Sequence, residues 1–89
     1  MLRVQIDEIR RYLSVFCTPK ELTQVMKAIL DDQYKKFIAD MQVETQNNPA
    51  LYRESLFYRT CSIIAGAYDE LGLHAEAEEI IDSADALRK

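Results

Sequence analysis

His74 is the single histidine of the chain, and Glu78 follows it by four residues. One helical turn separates such a pair, so the carboxylate can orient the imidazole as a general base. The residues beside it supply no nucleophile: Leu71, Gly72 and Leu73 precede it, and Ala75, Glu76 and Ala77 follow. Asp40 and Glu44 share a spacing that would pair two carboxylates on one helix face, and Asp31 and Asp32 could do so with more distant partners. Lys35 and Lys36 stand four residues beyond those aspartates, so the expected pairs Asp31–Lys35 and Asp32–Lys36 neutralise them. A di-metal carboxylate bundle needs Glu-x-x-His motifs, and the chain has none. Cys17 and Cys61 are the only cysteines and form no Cys-x-x-Cys pair. Both fall on apolar stripes and read as small packing residues, with a disulfide or a redox role as the alternatives. Gly66 and Gly72 lie in no phosphate-loop pattern. The expectation is a protein with no catalytic residue, no cofactor and no metal, and therefore not an enzyme.

The elements that position these residues read as helix throughout. The chain has 89 residues, 48% of them hydrophobic, with two glycines and two prolines. That composition opposes disorder and suits one small domain spanning residues 1–89. Net charge is −4 and is unevenly placed. Acidic and basic groups balance over residues 1–44, so the whole surplus of acid lies in residues 45–89. An acidic surface repels phosphate backbones, which argues against nucleic-acid binding. No apolar run approaches the roughly 18 residues of a membrane span. Arg3, Asp7, Glu8, Arg10 and Arg11 near the N-terminus do not form a signal peptide, and a cytoplasmic protein is the expectation.

Leu2, Ile6, Ile9, Leu13 and Phe16 recur at steps of four and three, so the spacing predicts a first helix over residues 2–17, with Asp7 pairing with Arg10 or Arg11. Thr18-Pro19-Lys20-Glu21 is the sharpest local signal. Thr18 can cap the next helix, Pro19 fits its first position, and Glu21 can reach back to the Thr18 backbone. The helical period then persists through Leu22, Val25, Met26, Ile29, Leu30, Phe37, Ile38 and Met41 to about Thr45. The segment 19–45 reads as one helix of about 40 Å, the alternative being a bend near Asp31. Gln46-Asn47-Asn48-Pro49 ends it, and a third helix is expected over residues 50–71 with Asn48 as its cap. No stretch alternates as a strand does. The fold class is all-α: a small up-and-down bundle of four or five helices with a C-terminal hairpin.

That hairpin, Tyr58 to Leu87, organises the chain. Its first arm carries Phe57, Cys61, Ile64, Tyr68 and Leu71. Gly72 follows where a helix closes most easily, and Leu73 can fold back on the last turn. The second arm carries Ala77, Ile80, Ile81, Ala84 and Leu87, with small alanines where the arms would cross. The run Cys61-x-x-Ile64-Ala65-x-x-Tyr68, then Ala77-x-x-x-Ile81, then Ala84, resembles a tetratricopeptide repeat. Cys61 stands where that family prefers Trp, Ala65 where it prefers Gly, Ile81 where it prefers Phe and Lys89 where it prefers Pro. The resemblance covers about a third of the chain and a single repeat. It implies a helical hairpin that serves protein recognition.

The remaining chemistry is surface for other proteins. Tyr12, Val15, Tyr34, Tyr52 and Tyr58 lie off or beside the main stripes and can form a second apolar face. The competing reading places each tyrosine at the core edge with its hydroxyl wet. If residues 19–45 overhang a shorter first helix, Phe37, Ile38 and Met41 project beyond it, which predicts a homodimer or a heterodimer with a partner helix. The candidate partner-binding residues are Tyr34, Phe37, Ile38, Met41, Tyr52 and Tyr58. The expected function is a small helical interaction module, an adaptor or a chaperone of assembly or secretion. The alternatives are a DNA-binding regulator, using Thr18 to Leu30 as half of a helix-turn-helix, and a purely structural homo-oligomer. The helix after Thr18 carries balanced charge and a broad apolar face, unlike a recognition helix.

Overall fold

In the computed structural model, which describes residues 2–88, four α-helices and one short 3-10 helix follow one another. They are α1 (Leu2–Ser14), α2 (Pro19–Thr45), the 3-10 turn (Pro49–Arg53), α3 (Ser55–Glu70) and α4 (His74–Arg88). No strand occurs among the described residues.

The start of α2 forms as its sequence dictates. The Glu21 N–H donates to Thr18 Oγ1 at 3.3 Å, and the Thr18 N–H donates to Glu21 Oε1 at 3.1 Å. Both orphan amides of the first turn are thereby satisfied, and Pro19 has none to lose. The backbone contact with Thr18 also holds the Glu21 carboxyl below its ordinary pKa. From there α2 runs for 27 residues as one helix, with no interruption at Asp31, in a molecule 43 Å in its longest dimension. Asp32 pairs with Lys36 at 3.0 Å as expected. Asp31 does not pair with Lys35. It pairs with Lys27 at 2.9 Å, while its other oxygen accepts the Tyr68 hydroxyl at 2.5 Å. The link to α3 decides which neighbour the carboxylate serves.

Two of the expected helices depart from the sequence expectations. α1 stops at Ser14 rather than continuing to residue 17. The Ser14 hydroxyl donates to the Arg11 carbonyl at 2.6 Å, and the chain turns as the Cys17 N–H reaches the Leu13 carbonyl at 2.9 Å. Phe16 therefore leaves the stripe and stands 70% exposed beside Val15. On α1 itself Asp7 pairs with Arg3, at 3.6 Å, and Arg10 reaches instead to Glu70 on α3 at 3.1 Å. The expected helix 50–71 is two pieces. Pro49–Arg53 is 3-10, Asn48 provides no side-chain cap, and extended Glu54 separates the turn from α3. Pro49 lets the chain restart at once, and the break at Glu54 lets the turn fold beneath α2.

The hairpin closes through Gly72, the only described residue with positive φ, at 79°. The Leu73 N–H donates to the Tyr68 carbonyl at 3.0 Å and the Gly72 N–H to the Asp69 carbonyl at 2.9 Å. This pair of bonds is the Schellman arrangement, and it needs a left-handed residue. A Cβ at Gly72 would meet no atom within 4 Å. Gly72→Ala thus isolates backbone strain from crowding. It is expected to cost about 1–2 kcal/mol, which lowers Tm by roughly 4–8 °C per kcal/mol in a domain of this size. A melting curve that overlays the wild type would refute the strain argument.

The core forms around α3. Half of the buried residues lie on it: Phe57, Cys61, Ile64, Ala65, Ala67 and Tyr68. Ile6 comes from α1, Met26 and Leu30 from α2, and Ala77, Ile80 and Ala84 from α4. α3 contacts every other element, whereas α1 and α4 do not meet. The arrangement is a bundle with α3 at its centre rather than a closed square of four helices. Directions alternate: Asp31 meets Tyr68 and Phe37 meets Phe57, so α2 runs opposite to α3, and the tight turn makes α4 opposite to α3 as well. It follows that α2 and α4 run the same way.

Candidate interaction groove

Two helices that lie on one side of α3 and run in the same direction have no turn to draw them together. No Cα of α2 comes within 8 Å of any Cα of α4 among the described residues. Packed helices normally lie with axes 8–10 Å apart and their ridges interleaved. Here the space between α2 and α4 is an open groove of about 700 Å³. Tyr34, Ile38 and Ala39 line it from α2, and Ser83, Ala86 and Leu87 from α4. Its lining is mostly apolar, and Lys35 is its one charged lining residue. The small alanines make it wide, and Tyr34 and Ile38 reach from it toward the core.

The six candidate binding residues thus separate. Tyr34 and Ile38 face the groove. Phe37 stacks on Phe57 with ring centroids 5.7 Å apart, and Tyr52 meets the same ring edge-on at 5.1 Å. Phe37, Met41 and Tyr52 pack against the core, half-buried. The overhang expected of α2 is therefore covered from within the chain, by α3 and by the 3-10 turn. Tyr58 lies beneath the Arg88 guanidinium, 4.8 Å from its ring centroid, which ties the end of α4 to α3. Leu87, placed by spacing on the core stripe, is instead 42% exposed at the groove's end. No signal along the chain marked Ala39, Ser83, Ala86 and Leu87 as one surface, because the pairing of α2 with α4 is nowhere local.

A second depression of about 240 Å³ adjoins the groove at Tyr34 and Ser83. Asp31, Tyr68, Glu76 and Glu79 surround it. Burial raises the pKa of Tyr68 well above the ordinary phenol range, and its hydrogen bond to Asp31 adds to the shift. The same bond, with Lys27 beyond it, holds the Asp31 carboxyl below its ordinary value. Burial likewise raises Tyr34. Both phenols therefore keep their protons, and Tyr68 donates its own to Asp31.

The other chemistry-bearing groups lie apart. His74 Nδ1 is 2.8 Å from Asp69 Oδ1, so its carboxylate partner is Asp69 and not Glu78. Ala65, Ala77, Glu78 and Ile81 complete the shallow hollow around it. Cys61 is fully buried, and burial pushes its thiol up to about 11. Cys17 is half-buried, and neither cysteine is bonded to the other. No cluster of three or more His, Cys, Asp or Glu side chains poised for a metal occurs among the described residues. Among the described residues, no helix is long and apolar enough to cross a membrane. Family models, curated proteins and solved structures yield no match to this chain.

Proposed function

We propose that the chain is a protein-interaction module, an adaptor or assembly chaperone, that seats a helical segment of a partner protein between α2 and α4. The observation that carries this reading is the groove itself. It is open, mostly apolar and about 700 Å³ in volume, and it lies where the backbones of α2 and α4 stay more than 8 Å apart. Exposed contiguous apolar surface marks contact sites more often than chance, and a guest helix that lays its apolar face into such a groove is a recurrent recognition mode. The hairpin's likeness to a tetratricopeptide repeat agrees with a recognition role. The acidic balance of the second half disfavours the alternative of a DNA-binding regulator.

A second reading, self-association, has its own observation. Tyr12, Val15 and Phe16 are 67%, 76% and 70% exposed at the corner between α1 and α2. The Tyr12 and Phe16 rings lie 5.3 Å apart. That corner is an exposed apolar surface that a second copy would cover.

Ala39→Arg and Ala86→Arg test the groove. Both alanines are exposed and helical, and Arg is nearly as good a helix former as Ala. The melting temperature is expected to stay within 2 °C or so of wild type. Capture of partner proteins from the native host should be lost in both variants and kept in Phe16→Ser. Capture that survives both arginines would reject the groove. Light scattering on the same samples decides the second reading: a wild-type dimer that Phe16→Ser dissociates supports it.

A further inference from the structure

We propose that the guest is a helix that lies antiparallel to α2 and α4, with basic residues in its last turn seated against Glu76 and Glu79. The inference rests on the groove reading above and specifies its occupant. The groove is electrically lopsided along its length. One end carries Asp31, Glu76 and Glu79, whereas Lys35 is the charged residue lining the other. Asp31 is already engaged by Lys27 at 2.9 Å and by the Tyr68 hydroxyl at 2.5 Å. Glu76 and Glu79 have no cation within ion-pair distance among the described residues; Lys27, bound to Asp31, feels the charge of Glu76 without pairing with it. They stand three residues apart on α4 and face the same depression. A cation arriving there finds two carboxylates with no competing partner, beside an apolar slot for the rest of its helix.

The direction follows from the shared orientation of the two walls. From Asp31 to Gln42 on α2, and from Glu76 to Leu87 on α4, both walls run from the acidic end to the apolar end. A guest running the opposite way sets its dipole against theirs. It places its negative C-terminal end beside the positive start of α4, and its N-terminal end beside the C-terminal ends of α2 and α4. Cations in the last turn of an isolated helix are themselves favoured by its dipole, so such a guest is helical before it binds. The stretch from Asp31 to Gln42 is about 16 Å long, so three to four turns of guest fill it.

Three fluorescent peptides test the proposal by anisotropy against the full chain. Each is a 16-residue capped helix of Ala and Gln with one stripe of four leucines. They carry two Arg in the last turn, two Arg in the first turn, or two Glu in the last turn. The last-turn Arg peptide is expected to bind about tenfold tighter than the last-turn Glu peptide. The gap should narrow as salt rises. Glu79→Lys, at an exposed site, should reverse that order without moving the melting temperature. A first-turn Arg peptide that binds tightest would overturn the orientation. Equal binding of all three peptides, lost in Ala39→Arg, would overturn the charge rule and leave the groove reading intact. No binding by any peptide would remove both.

Discussion

Ala77→Glu is expected to abolish cooperative unfolding and leave the chain without a stable fold. Ala77 is 4% exposed where α4 crosses α3, and these two helices share the most extensive contact in the molecule. The small side chain is the reason they approach so closely. A carboxylate there has no cationic neighbour in the core, whose described residues include no buried charged group. Burying it unpaired costs several kcal/mol, and pushing the helices apart to wet it forfeits contacts of Ile64, Ile80 and Ala84. A domain of this length has a stability of about 5–13 kcal/mol, so one such term removes much of it. Ala75→Glu, two residues earlier but exposed, is the control and should melt as wild type does. Circular dichroism of both variants decides the matter. An Ala77→Glu protein with full helicity and an unshifted transition would show that the arms do not pack as described.

Phe57→Ala has the second-largest expected effect, a loss of about 3–5 kcal/mol in urea titration. Phe57 is 2% exposed and holds Phe37 on one face and Tyr52 against its edge. It is the contact through which the far half of α2 and the 3-10 turn are both fastened to α3. Aromatic pairing adds to area burial, so two such pairs are lost with one ring. The near-UV dichroism of the tyrosines should fall along with stability, because Tyr52 loses its fixed neighbour. A loss below about 1 kcal/mol would mean that the 3-10 turn is held elsewhere. Because Phe37, Met41 and Tyr52 belong to this cluster, their removal should also weaken partner capture only through stability, unlike Ala39→Arg.

Apart from the end of α1 and the 3-10 turn, the elements were legible in the amino-acid sequence, and the reasons are local. Thr18, Pro19 and Glu21 lie within one turn and satisfy one another's backbone groups wherever the rest of the chain goes. Gly72 is needed for a left-handed residue at one place, and the apolar period of four and three marks α2, α3 and α4 along their lengths. Ala77 and Ala84 were recognisable as crossing points, since only small residues at that spacing let two helices approach. Asp31 was misassigned to Lys35 because i,i+4 spacing admits a lysine on either side, and only Tyr68, distant in sequence, chooses between them.

The interaction surface was legible only in part. Tyr34, off the main stripe, and Ile38, on the end of α2 expected to overhang, were marked as contact residues, and they do line the groove. Phe37 and Met41 carried the same marks, yet the 3-10 turn folds under α2 and α3 takes up the Phe37 ring. Periodicity records which face of a helix is apolar but not which neighbour covers it. Phe16 shows the converse: its spacing placed it inside, and the end of α1 at Ser14 turned it out. The course of α2, the Thr18 cap and the Gly72 turn follow from bonds between residues a few positions apart, so the amino-acid sequence determined them alone. Whether α2 and α4 touch depends on the central position of α3 and on where each helix ends. Those distances are settled only when the whole core packs, and so the tertiary structure alone decided that a groove lies between them.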